Sequence, residues 1–88
     1  MDLRAAIEDP ARADARTLDR AEGVLIALRH CTTEAAFGEI VRASKRHRVS
    51  TLRMAAALVA LAQDSPLDGD ASAAARYEWG LLIEQAHR

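Results

Sequence analysis

The sequence predicts an all-α fold, and three observations predict it. Twenty of the 88 residues are alanine, the best helix former. Glycine and proline are scarce, at four and two. Apolar residues recur at steps of three and four, and no segment alternates with the two-residue period of a strand. The chain has one Trp, one Tyr and one Phe, and alanine buries little surface. The core is therefore expected to be thin, which at this length favours a homodimer.

Asp9-Pro10 reads as the first helix start, a capping side chain followed by a proline pre-organised for the first helical position. Ala11, Ala15, Leu18, Ala21, Leu25 and Leu28 then form one face, widened by Val24 and Ile26, as far as Arg29-His30. Thr32-Thr33-Glu34 reads as the second start, with a Thr cap and an acid in the first turn. Its stripe is Ala36, Phe37, Ile40, Val41 and Ser44, which assigns Phe37 to the core, and it ends around residues 45–47. Ser50 is the expected cap of a third helix. There Leu52, Ala55, Ala56 and Val59 share a face, with Leu58, Leu61 and Ala62 beside them, until Asp64-Ser65-Pro66 stops it. Asp70 or Ser72 caps a fourth helix running to about Gln85, apolar at Ala75, Trp79, Leu82, Ile83 and Ala86, flanked by Tyr77 and Leu81, and weakened at Gly80. The organisation is then a helical domain over residues 1–63, a linker over 64–70, and a C-terminal helix within 71–88. That helix either packs on the bundle or forms a dimer seam. Tyr77, Trp79, Leu82 and Ile83 are its contact residues, tryptophan being enriched at interfaces.

A single cysteine allows no internal disulfide framework, and with three histidines a closed zinc site is not expected. The longest uncharged run, residues 54–63, is far short of the roughly 20 residues that span a bilayer. The start Met1-Asp2-Leu3-Arg4 lacks a basic segment followed by an apolar one, so a signal peptide is not expected and the compartment is read as a reducing cytoplasm. His30-Cys31 places no base on the thiol merely by adjacency, and no third group accompanies it. No paired carboxylates, phosphate-binding glycine loop or metal-ligand spacing emerges. The expectation is a protein that is not an enzyme and takes no cofactor or metal.

The net charge of −1 conceals a block pattern. Residues 37–53 carry Arg42, Lys45, Arg46, Arg48 and Arg53 against Glu39 alone, while both flanks are acidic. A local cationic patch is what a phosphate backbone needs, although basic residues at a helix C-terminus also complement its macrodipole. Arg53, by contrast, falls in the first turn of the third helix, where a cation is electrostatically misplaced unless an anion meets it.

The stretch Leu18-Asp19-Arg20-Ala21-Glu22-Gly23-Val24-Leu25-Ile26, followed by Thr32-Thr33-Glu34-Ala35-Ala36-Phe37, Arg42-Ala43-Ser44 and Leu52-Arg53-Met54-Ala55, resembles the ANTAR domain in order and spacing. The resemblance covers residues 17–63. It implies a three-helix ANTAR-type bundle, here with an additional C-terminal helix and no attached sensor domain. It also implies a dimeric RNA-binding regulator that stabilises two hairpins in a nascent leader transcript and so prevents a terminator hairpin, under the control of a separate sensor protein. The residues expected to contact RNA are Arg42, Ser44, Lys45, Arg46, Arg48 and Arg53. Glu22 and Thr51 stand where the family has lysines, and His30-Cys31 where its first turn has glycine. Gly23 is read as a point of close helix packing, with close approach of an RNA backbone as the other reading. Two alternatives remain open: a degenerate ANTAR module serving as a dimerisation or protein-interaction domain, and helix-turn-helix DNA binding by the second and third helices.

Overall fold

Three of the four expected start signals become side-chain caps in the computed structural model, which describes residues 9–65 and 68–87. Asp9 accepts from the Ala11 N–H at 3.0 Å and opens α1, Pro10–Arg29. Thr32 accepts from the Ala35 N–H at 3.1 Å and opens α2, Thr33–His47. Ser50 accepts from the Arg53 N–H at 3.1 Å and opens α3, Thr51–Ala62. Each hydroxyl or carboxylate satisfies an N–H that the helix leaves without a partner. The fourth helix, α4, Asp70–Ala86, starts differently: Gly69 is its cap, at φ 110°, and makes no side-chain cap bond. Only glycine reaches that backbone region without strain. Asp70 is thus the first residue of the helix, and Ser72 is buried within it.

α1 and α2 end on left-handed residues that are not glycine, His30 at φ 54° and Arg48 at φ 56°. The His30 N–H donates to the Ile26 carbonyl at 2.8 Å, closing the last turn of α1. His30 therefore adopts the conformation that a glycine would take at less conformational cost.

α3 is the centre of the bundle. It packs most extensively on α1 and α4, while α2 closes against α1 and α3. Its one charged residue is Arg53, and Met54, Ala55 and Leu58 are fully buried. Among the described residues, eight of the fifteen buried apolar residues are alanines, so the helices approach closely and little volume is left for large side chains. Trp79 takes much of what remains: it is 1 % exposed and is the largest of the fully buried side chains among the described residues. Ile83 is buried beside it, Leu82 is half-buried, and Tyr77 points outward at 82 % exposure. α4 thus packs on the bundle through Trp79 and Ile83.

Several expected core positions move. The buried stripe of α2 is Ala36, Ile40, Ala43 and Ser44. Phe37, about 100° round the helix from Ala36, is 43 % exposed rather than buried. In α3, Met54 and Ala57 face inward with Ala55 and Leu58, while Leu52 is 38 % exposed. A helix apolar nearly all round gives periodicity nothing with which to orient it. In α1, Ala11 and Ala15 are exposed, because the core begins only near Leu18.

Gly23 is not a packing glycine. It is exposed, and a Cβ built there would meet nothing within 4 Å. Gly23→Ala should therefore raise stability by about 0.5–1 kcal/mol through helix propensity alone, measured by urea denaturation. A destabilised variant would mean that a neighbouring surface presses on this position after all.

Candidate nucleic-acid interface

Five of the six side chains expected to meet RNA are exposed cations, and the sixth is not on the surface. Ser44 is 4 % exposed. Its hydroxyl donates to the Val41 carbonyl at 2.7 Å and lies 3.3 Å from the Thr51 hydroxyl. Ser44 therefore joins α2 to the start of α3 and presents nothing to a ligand. Ser50 is likewise spent as the α3 cap.

The inward stripe of α2 decides where its cations go. With Ala36, Ile40 and Ala43 facing the core, Arg42 and Lys45 fall on the outward side, and Glu39 and Arg46 fall together on the flank nearest α4. Gly38 leaves room for Arg42: a Cβ there would meet the Arg42 Nη1 at 3.0 Å, so the guanidinium lies back over the preceding turn. Arg48 occupies the left-handed turn between α2 and α3, exposed. Among the described residues, no carboxylate lies within ion-pair distance of Arg42, Lys45 or Arg48.

The other two cations are occupied. Arg46 donates through Nε to Glu78 Oε1 at 2.7 Å, and its Nη2 lies 2.6 Å from the same oxygen. His47 Nε2 lies 3.3 Å from that oxygen too, without the geometry of a hydrogen bond, and its ring meets Tyr77 edge-on at 5.5 Å. Arg53 pairs with Asp70 across the α3–α4 junction. That guanidinium, and then the Ala71 N–H, hold the Asp70 carboxyl below its ordinary range. A lowered carboxylate pKa adds stability above the ordinary range, lost as the pH falls through the lowered value; for so exposed a pair the effect is small. The anion that Arg53 needs in the first turn of α3 is therefore supplied from inside the molecule.

Glu39 carries a role the charge pattern did not disclose. The lone acid of the basic block sits 2.9 Å from Arg29 Nε and accepts the Trp79 indole N–H at 2.6 Å. One carboxylate thus ties α1, α2 and α4 together and satisfies the donor of the buried tryptophan. The signal available in the sequence was the conjunction of a solitary acid among cations with a single tryptophan needing an acceptor.

Cys31 is half-buried, its thiol 3.7 Å from the Leu25 carbonyl. Among the described residues no group of three or more His, Cys, Asp or Glu is placed to hold a metal ion, and no helix is long and apolar enough to cross a membrane.

Compared with known proteins, the chain matches the family model described as the ANTAR domain over residues 2–59. No curated protein and no solved structure matches it. The matched segment takes in Arg42, Lys45, Arg46, Arg48 and Arg53, and it ends within α3, so that α4 lies outside it.

Proposed function

The chain belongs to the ANTAR family of RNA-binding antitermination regulators, and from that premise we propose that it holds a two-hairpin antiterminator together in a nascent leader transcript. One observation carries the proposal beyond the family: Arg42, Lys45 and Arg48, on the outer side of α2 and the turn after it, are exposed and have no carboxylate partner among the described residues. Exposed, uncompensated cations are free to neutralise phosphates. Phe37, 43 % exposed one helical turn before Val41, adds an aromatic face on the same helix for a loop base to stack on.

The regulator works as a homodimer in this reading, and its control comes from a separate sensor protein. The exposed apolar pair Tyr77 and Leu81, 82 % and 73 % exposed on the outer face of α4, is the surface offered for the partner copy. The reaction is one of binding in the cytoplasm, where transcripts are made, with no cofactor and no chemistry on the RNA. The helix-turn-helix reading loses support from the Arg53–Asp70 pair, which occupies the cation nearest the start of the would-be recognition helix.

Competition among a two-hairpin RNA, a scrambled RNA of equal length and a DNA duplex, at one salt concentration, tests the proposal. The expected result is preference for the paired hairpins and a doubling of protein mass in the complex. Equal binding to all three, or preference for the duplex, sinks it.

A further inference from the structure

We propose that α4 is an acidic clasp on the RNA-binding surface, its Glu78 and Asp70 standing where phosphates would otherwise sit on Arg46, His47 and Arg53. This rests on the RNA-binding reading above and adds to it a regulatory element on the same surface. The cations all lie within the segment that matches the family, and both carboxylates come from the helix outside it. The arrangement at Glu78 resembles an anion site already filled. One carboxylate oxygen takes two guanidinium nitrogens of Arg46 at 2.6 and 2.7 Å, distances typical of charge-assisted bonds, and faces His47 as well. Glu78 is positioned rather than free to drift: its side chain is 14 % exposed, and its neighbour in the chain is the buried Trp79.

The clasp is also open to exchange. The Arg46 and Arg53 side chains remain 54 % and 58 % exposed, so an incoming phosphate reaches each of them from solvent while α4 stays docked by Trp79 and Ile83. The Arg53–Asp70 pair, exposed on both sides, is weak and screened by salt, whereas the Arg46–Glu78 pair, with its carboxylate mostly buried, is the firmer of the two. RNA therefore meets two classes of cation. Arg42, Lys45 and Arg48 bind outright, whereas Arg46 and Arg53 bind only by displacing a carboxylate of the protein itself. Any movement of α4 that withdraws Glu78 and Asp70 enlarges the cationic surface, and the helix sets the affinity that the rest of the domain delivers.

The test is the full chain carrying Glu78→Gln and Asp70→Asn, nearly isosteric changes that remove charge and keep an acceptor. It is titrated with a two-hairpin RNA across a salt series. The expected result is binding tighter by about 5- to 30-fold, with the slope of log affinity against log salt steeper by about one to two, and each single variant giving part of the gain. Asp14→Asn with Asp19→Asn, the same change in net charge on the exposed side of α1, should shift affinity less than about twofold. A wild-type chain that binds weakly or not at all, with a double variant that binds, supports the clasp in its strongest form. Wild-type affinity and slope in Glu78→Gln/Asp70→Asn overturn it. So does an equal gain from the α1 control, which would make net charge the whole effect. In either of those cases hairpin binding by the wild type still stands. Absence of RNA binding by every variant removes the clasp together with the reading it rests on.

Discussion

Trp79→Ala should cost about 3–5 kcal/mol of folding stability, enough to lower the melting temperature of a domain this small by tens of degrees. Trp79 is 1 % exposed, and among the described residues eight of the fifteen buried apolar ones are alanines. Alanines have no side-chain length with which to close a cavity, so the hole persists and its full cost is felt. The variant also strips Glu39 of the indole N–H it accepts at 2.6 Å, loosening the carboxylate that links α1, α2 and α4. Trp79→Phe weights the two contributions differently: it keeps most of the side-chain volume and loses the hydrogen bond together with a smaller cavity, for about 1–3 kcal/mol. Tyr77→Ala, at a position 82 % exposed, should fall within about 0.5 kcal/mol of wild type and, if Tyr77 lies in the dimer seam, should lower the mass of the particle instead. Thermal melts followed by circular dichroism read all three. A near-native melting point for Trp79→Ala would mean that α4 does not hold the bundle as described.

The local signals in this sequence were strong where a single residue decides the backbone. Asp9-Pro10, Thr32 and Ser50 located three helix starts because a short oxygen-bearing side chain next to unpaired N–H groups has one good use. The fourth start is less legible, because Asp70 and Ser72 have the right chemistry, yet Gly69 has the right backbone freedom. Orientation was less legible than extent. Phe37 and Leu52 lie on the margins of apolar stripes wider than the buried faces, and in α3 the surrounding alanines are interchangeable to any periodicity argument. At the candidate site, the cations and their exposure could be anticipated from the charge block, since charged groups stay at the surface unless paired. Which of them were paired could not. Glu78 is 32 positions from Arg46 and Asp70 is 17 from Arg53, and only the docking of α4 by Trp79 brings either carboxylate into range. The unfavourable placement of Arg53 did announce an anion, and that anion turned out to be internal.

Arg42→Ala combined with Arg48→Ala should weaken hairpin binding by on the order of tenfold or more and flatten the salt dependence by about two in log–log slope. Neither residue has a carboxylate partner among the described residues, so their removal takes charge from the surface without freeing an acid elsewhere or breaking a tertiary contact. Stability should hold within about 0.5 kcal/mol, as for other surface changes, and the left-handed turn at residue 48 is no harder for alanine than for arginine. Arg46→Ala makes the informative contrast. In the wild-type background its guanidinium is already held by Glu78, so it contributes less to RNA and its loss should cost less than that of Arg42. With Glu78→Gln and Asp70→Asn present, the same Arg46→Ala change should cost markedly more, a non-additivity that a double-mutant cycle isolates. Gel or filter titrations at three salt concentrations supply every term. If Arg42 and Arg46 prove equally important in both backgrounds, the two classes of cation are one. If neither matters in either background, the RNA lies on some other face of the bundle.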